Sequence, residues 1–122
     1  MNAEVGIVTL RVDNWKDMLA YYRDKVGLKP RLVAEDVQYA MFDTGAVRFA
    51  IEGPAKPAHA KGRGKGALMT NFKVEDIKGA VAELKKNGVK VLTDVKQGPN
   101  YDYVVIEDPE GNEQVVYQRV QR

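Results

Sequence analysis

Val8-Thr9-Leu10-Arg11-Val12-Asp13-Asn14-Trp15-Lys16 and Leu68-Met69-Thr70-Asn71-Phe72-Lys73-Val74-Glu75-Asp76-Ile77-Lys78 are two versions of one pattern, with Val12 and Val74 at the matching point 62 positions apart. In each, a run containing alternating apolar residues meets an acidic and polar stretch, and an amphipathic helix follows. Both helices end at a glycine, in Gly27-Leu28-Lys29 and Gly88-Val89-Lys90, and both copies continue as short strands around a turn. Those turns are Asp43-Thr44-Gly45 and Asp108-Pro109-Glu110-Gly111. A repeat of this period points to two equivalent modules that cannot bury their apolar faces alone.

Length agrees with that. A chain of 122 residues fits one compact domain that buries roughly two-thirds of its unfolded surface, so the two halves are expected to share a core. The modules are expected at about 4–53 and 67–120, joined by a Pro/Gly/Lys-rich linker at 54–66. The chain is 44% hydrophobic and 30% charged, ordinary for a globular domain. No apolar run is long enough to span a bilayer and no charged-then-apolar leader follows Met1, so a cytoplasmic protein without membrane partners is expected. With no cysteine, disulfides, thiolate nucleophiles and cysteine metal sites are excluded.

A net charge of +2 does not point to nucleic acid. The densest basic stretch, Lys56, Lys61, Arg63 and Lys65, lies among prolines and glycines without interleaved aromatics or a Gly-Lys-Ser/Thr signature. It reads as a solvated connector.

The first helix takes Asn14 or Asp13 as its N-cap. Its apolar stripe is Trp15, Met18, Leu19, Tyr22 and Val26, and Gly27 is the left-handed stop. The second takes Asp76 as cap, Ile77, Ala80, Val81 and Leu84 as stripe, and Lys85 and Lys86 at its negative end. Strands are expected at 4–12, 30–35, 38–43 and 46–52, then at 67–74, 89–94, 102–107 and 113–119. Each half therefore reads β-α-β-β-β, an α+β fold.

These elements resemble a known family. The paired β-α-β-β-β order, the opening Val8-Thr9-Leu10-Arg11-Val12-Asp13, the segment Tyr21-Tyr22-Arg23-Asp24-Lys25-Val26-Gly27-Leu28 and the turn Asp108-Pro109-Glu110-Gly111-Asn112 are similar to the vicinal oxygen chelate superfamily. That superfamily includes glyoxalases, extradiol dioxygenases and the fosfomycin- and bleomycin-resistance proteins. The resemblance spans almost the whole chain. It implies a cup-shaped mixed sheet with helices on the outer face, a binding site on the concave face, and a homodimer. It also implies four metal-ligand places, at Ile7, Ala50, Met69 and Val115 in this chain.

None of those four side chains suits a hard or borderline divalent cation. The chain's one histidine, His59, falls in the linker. Glu4, Glu52, Glu107 and Glu113 lie near strand ends, where a solvated charge is the expected state. No metal and no cofactor are therefore expected. The resemblance then points to the metal-free branch typified by bleomycin-resistance proteins, away from the superfamily's metal chemistry.

Strand alternation converts this into a lining. If Val8, Leu10 and Val12 pack on helices, Ile7, Thr9 and Arg11 face the cup, as do Arg48, Ala50 and Glu52. In the second half Met69, Asn71 and Lys73 face in, with Glu113, Val115 and Tyr117, while Leu68, Thr70, Phe72 and Val74 face out. Tyr39, Met41, Tyr101, Tyr103 and Val105 complete the inner face. The expected ligand-binding residues are Ile7, Thr9, Arg11, Tyr39, Met41, Arg48, Met69, Asn71, Tyr101, Tyr103, Val115 and Tyr117. Such a lining suits a small or planar organic guest, with the arginines favouring an anionic or carbonyl-bearing one. Replacing Arg11 or Arg48 with alanine is expected to weaken binding at little cost in stability.

Three functions are compatible with this. The first is a metal-independent protein that sequesters a small aromatic or anionic antibiotic or toxin. The second is a lyase, isomerase or dioxygenase-like enzyme, the metal-free form using Glu52 or Glu113 as general base. The third is a dimeric interaction module whose cup is filled by its own side chains.

Overall fold

The computed structural model describes residues 1–55 and 68–122. The basic connector, His59 and Ala67 lie outside the described residues. The chain divides into two compact units, residues 7–69 and residues 1–6 with 70–122.

In the first unit the elements are β1 (Glu4–Arg11, its first residues counted with the other unit), α1 (Trp15–Ala20), β2 (Pro30–Ala34), β3 (Tyr39–Phe42) and β4 (Arg48–Glu52). The strands run in the order β2-β3-β4-β1, with β1 parallel to β4 and the other pairs antiparallel. The second unit holds β5 (Leu68–Lys73, its first two residues counted with the first unit), α2 (Ile77–Lys86), β6 (Lys90–Val91), β7 (Lys96–Gln97), β8 (Tyr101–Glu107) and β9 (Glu113–Arg119). Its order is β5-β9-β8-β6, with β7 also on β8 and β5 parallel to β9. Each unit thus sets its last strand beside its first, as a duplicated α+β fold requires. One hydrogen bond is reproduced in both: Val12 N–H donates to Glu52 O at 2.9 Å, and Val74 N–H to Tyr117 O at 2.8 Å.

Contrary to the expectation of one shared core, each unit has its own apolar core between helix and sheet. In the first, Val12, Trp15, Leu19, Ala40, Phe42 and Ile51 are buried, with Leu10, Tyr22, Leu28 and Phe49 packed against them. The Tyr22 ring lies 5.0 Å from that of Phe49 and 6.1 Å from that of Phe42. In the second, Val74, Ile77, Ala80, Leu84, Val104, Ile106 and Val116 form the core. The alternation read from sequence therefore holds on these strands, middle strands included: Ala40, Phe42, Val104 and Ile106 face the helices.

Four local expectations need correction. The first helix does not run through Val26 as one α-helix. Tyr21–Lys25 form a π-helical turn, with Val26 N–H donating five residues back to Tyr21 O at 3.0 Å. Widening the turn rotates the last residue off the stripe, so Val26 is 50% exposed and Leu28 takes the packed place. Gly27 ends the helix at φ 86° as expected.

Asn14 stands at the N-cap, but its side chain makes no capping bond. Its amide donates to Asp17 Oδ2 at 2.5 Å instead. Asp76 does cap α2, accepting from Gly79 N–H at 3.2 Å.

The strand expected at 89–94 shortens to β6, Lys90–Val91, and the further short strand β7 at Lys96–Gln97 lies beyond the expected range. Val105 N–H donates to the Thr93 hydroxyl at 3.2 Å, so a side chain takes a bond that a ladder would have used. Leu68, expected to pack, is 62% exposed at the start of β5. Among the described residues no helix is long and apolar enough to cross a membrane.

Candidate functional site

The face of each sheet turned away from its helix is the candidate site. Register places its side chains in rows. In the first unit Arg11, Glu52 and Tyr39 lie side by side on β1, β4 and β3, and Thr9, Ala50 and Met41 form the adjacent row, with Ile7 beside Arg48 beyond it. In the second unit Lys73, Tyr117 and Tyr103 form one row on β5, β9 and β8, and Asn71, Val115 and Val105 the next. Lys96 of β7 extends the tyrosine row, and Arg119 lies opposite Tyr101. All twelve predicted ligand residues are thus on described strands; eleven of them join these rows, and Met69 meets Arg11.

The two faces differ in how closed they are. In the first unit Thr9, Arg11, Ala50, Glu52 and Met69 are all buried. Arg11 is 8% and Glu52 3% exposed, with Arg11 Nε 3.5 Å from Glu52 Oε1. Arg11 Nη2 also donates to Met69 Sδ at 2.9 Å. A charge in such a place is tolerated because its partner is there too.

Two expectations therefore change. Glu52 is a buried partner and not a solvated strand-end charge, and Arg11 cannot be removed cheaply, because its loss would strand Glu52 out of water. Nothing in one strand's own pattern announces this; the signal was the register that sets Arg11 opposite Glu52. Arg48 is only half-buried, its Nε donating to Gly45 O at 3.3 Å.

In the second unit Val115 and Tyr117 are buried, while Tyr101 and Tyr103 are half-buried. The Tyr101 and Tyr103 rings lie 5.5 Å apart and tilted by 38°, within the range of favourable aromatic pairing. Burial pushes the Tyr103 phenol above the usual tyrosine range, and Tyr101 adds in the same direction. Glycines make room for two of these rings. A Cβ on Gly6 would fall on the Tyr117 hydroxyl, and one on Gly98 would come within 2.6 Å of the Tyr101 ring. Lys96 and Arg119 were not among the predicted residues; continuing the alternation of β9 two places past Tyr117 would have found Arg119, whereas β7 had no sequence signal.

The four places that the resemblance marks for a metal offer poor donors. Ala50, Met69 and Val115 are buried and Ile7 is half-buried. Three are hydrocarbons, and the Met69 thioether already accepts a bond from Arg11. Soft thioether sulfur alone does not hold zinc, iron or manganese, so these residues do not fit a resident metal. Among the described residues no group of three or more His, Cys, Asp or Glu is arranged to hold one. A cleft of about 630 Å³ in the second unit lies elsewhere, between Met1–Glu4 and the start of α2, and none of the twelve predicted residues lines it.

Comparison with known proteins agrees with this architecture. Residues 4–116 match the Glyoxalase/Bleomycin resistance protein/Dioxygenase superfamily, and the chain belongs to that superfamily. It is 28% identical over 91 residues to the uncharacterized protein YraH of Bacillus subtilis, covering 68% of this chain and 71% of that protein. Among solved structures it resembles the hypothetical protein BH1468 of Bacillus halodurans, at a TM-score of 0.80 and 17% identity over 100% of this chain and 98% of that one. It also resembles the methylmalonyl-CoA epimerase of Streptomyces coelicolor, at 0.77 and 18% over 99% and 100%. At such identities the likeness is one of fold.

Proposed function

We propose that this superfamily member is a metal-independent cytoplasmic binding protein that sequesters a small aromatic or anionic organic compound, of the antibiotic or toxin kind. The observation that carries the reading is the half-buried Tyr101–Tyr103 pair, a ring platform on the face opposite the α2 core. Ring surface supplies burial and stacking energy without demanding chemistry. The hydrocarbon side chains at three of the superfamily's four ligand places, Ile7, Ala50 and Val115, support the metal-free part.

A homodimer goes with this reading. Its support is the β2 edge, where Leu32 and Val33 are both exposed, a strand suited to covering by a second copy. Sedimentation of the purified chain tests it; a monomer at every concentration removes the dimer from the proposal.

The binding reading is tested by metal analysis together with a thermal-shift screen of divalent cations and aromatic antibiotics. An upward shift with an organic compound, in protein carrying no stoichiometric metal, is the expected result. Stoichiometric metal, or stabilisation by a cation alone, overturns it.

One observation favours a second reading. Glu52 is a carboxylate buried beside Arg11, and a buried carboxylate is what a metal-free general base requires. The enzyme reading predicts that Glu52→Gln abolishes solvent deuterium exchange at the carbon acid of a substrate while leaving its binding intact.

A further inference from the structure

We infer that the tyrosine platform of the second unit selects flat aromatic acids, with Lys96 and Arg119 as the two groups that recognise the acid. This rests on the binding reading above and adds the guest's charge and the residues that read it. Arg119 lies directly across from Tyr101 on β9, and Lys96 directly across from Tyr103 on β7. Directly paired residues on neighbouring strands project to the same side. The two cations therefore bracket the ring pair from opposite flanks.

Spacing agrees with a guest of one or two rings. Two strand separations of about 4.8 Å part β9 from β7, and one two-residue step of about 6.8 Å parts Tyr101 from Tyr103 along β8. A flat molecule lying on the rings brings an acid group at its rim to the planar fork of Arg119 or the long flexible arm of Lys96. The platform is held in place beneath. Gly98 lies against the Tyr101 ring, and its N–H donates to Tyr101 O at 2.7 Å.

Charge on the same face separates along the strands. Glu107 and Glu113 sit opposite each other at the far end, with Lys90 Nζ 3.2 Å from Glu107 Oε1. Four residues of β9 separate Glu113 from Tyr117, about 13 Å. Asp102 belongs to the alternate position on β8 and is paired with Arg122. Lys73, on the β5 flank of Tyr117, belongs instead to the cleft at α2, whose lining carries Glu4, Glu75, Asp76 and Glu83. On the ring face, Arg119 stands across from Tyr101 and Lys96 across from Tyr103, whereas the carboxylates of that face on β8 and β9, Glu107 and Glu113, lie at the far end.

The test is calorimetric titration of the full chain with 2-naphthoate and with the neutral 2-naphthamide at low salt. Wild type is expected to bind the acid at least about tenfold tighter, as charge-assisted bonds of this kind provide. In Lys96→Gln/Arg119→Gln that preference disappears while amide affinity stays, and an unchanged thermal midpoint shows that the fold is kept. An acid preference that survives in the double variant, or that vanishes instead in Arg48→Gln alone, overturns the inference. Equal binding of acid and amide by wild type overturns it too, yet leaves the binding reading standing. Absence of binding by either compound overturns it as well, and the antibiotic screen then decides the binding reading separately.

Discussion

Arg11, Glu52 and Tyr39 in one unit occupy the places that Lys73, Tyr117 and Tyr103 occupy in the other, as the shared bonds Val12 N–H to Glu52 O and Val74 N–H to Tyr117 O show. Backbone and topology are duplicated, but the side chains have diverged in opposite directions. In the first unit the row holds a buried ion pair, with Arg11 also donating to Met69. In the second a phenol, Tyr117, stands where the first has its carboxylate, the cation at the strand end is exposed, and two rings are half-buried. One backbone can therefore hold a buried ion pair in one copy and a half-open pair of rings in the other, because the ladder bonds that position the strands are indifferent to what the side chains do.

The largest expected effect tests the locked row. Arg11→Ala should lose about 3–5 kcal/mol, since it leaves Glu52 buried without its cation. Lys73→Ala at the equivalent place should stay within about 0.5 kcal/mol. Denaturant melts of the two variants measure the contrast, and Arg11→Met/Glu52→Met should recover most of the loss because removing both charges removes the penalty. Equal losses for Arg11→Ala and Lys73→Ala would falsify the asymmetry.

A smaller effect concerns Gly6, which the repeat aligns with Leu68. Gly6→Ala should cost about 1–3 kcal/mol by overpacking against the Tyr117 hydroxyl. Most of that cost should vanish in a Tyr117→Phe background, where the nearest atom is gone. Leu68→Ala, at an exposed site, should change the melting midpoint little. If the Tyr117→Phe background gives no relief, the close approach seen at Gly6 is not what limits the site.

The helix starts differ next. Asp76→Ala should destabilise by about 1 kcal/mol, the usual worth of a capping side chain, whereas Asn14→Ala should do almost nothing because Asn14 caps no backbone N–H. Amide exchange at Gly79 and Asp17 reads the two directly, and faster exchange at both would erase the distinction.

The smallest effect is at the turns. The turn after β3 is held by Thr44, whose hydroxyl donates to Val47 O at 2.8 Å and accepts from Phe49 N–H at 2.9 Å, so it carries no charge. The turn after β8 is held by Asp108, which accepts from the N–H groups of Glu110 and Asn112 at 2.9 Å and from the Asn112 amide at 3.0 Å. The Asn112 side chain, then its backbone, hold the Asp108 carboxyl below the usual range, against the opposing effect of desolvation. A lowered folded pKa contributes stability that is present above about pH 3.9, the ordinary aspartate value, and is lost as pH falls through the folded one. Asp108→Asn should flatten the acid limb of the stability curve, while Thr44→Val should lower stability equally at every pH. A Thr44→Val curve that bends with pH would contradict this.

Much of this was legible in the residues themselves. The two helices, the glycine stops at Gly27, Gly45, Gly88 and Gly111, and the inward and outward sides of the strands follow from period, capping chemistry and positive φ. These are local properties, and the repeat let each half check the other. What failed was also local in appearance but set from outside: Val26 was displaced by a π turn that frees Leu28 to pack, and the strand at 89–94 was cut short after Val91, where the Thr93 hydroxyl bonds β8.

The sequence by itself determined an α+β duplication, its helix-facing core and the side of each strand on which Arg11, Tyr103 and Tyr117 project, because side-chain period and turn chemistry are written residue by residue. Only the tertiary structure decided that Arg11 meets Glu52 and Met69 out of water, that Gly6 and Gly98 lie against tyrosine rings, and that Lys96 and Arg119 flank the platform. Those are register and packing relations between residues far apart in the chain, and the energy of a charge or a ring depends on the neighbours that register supplies.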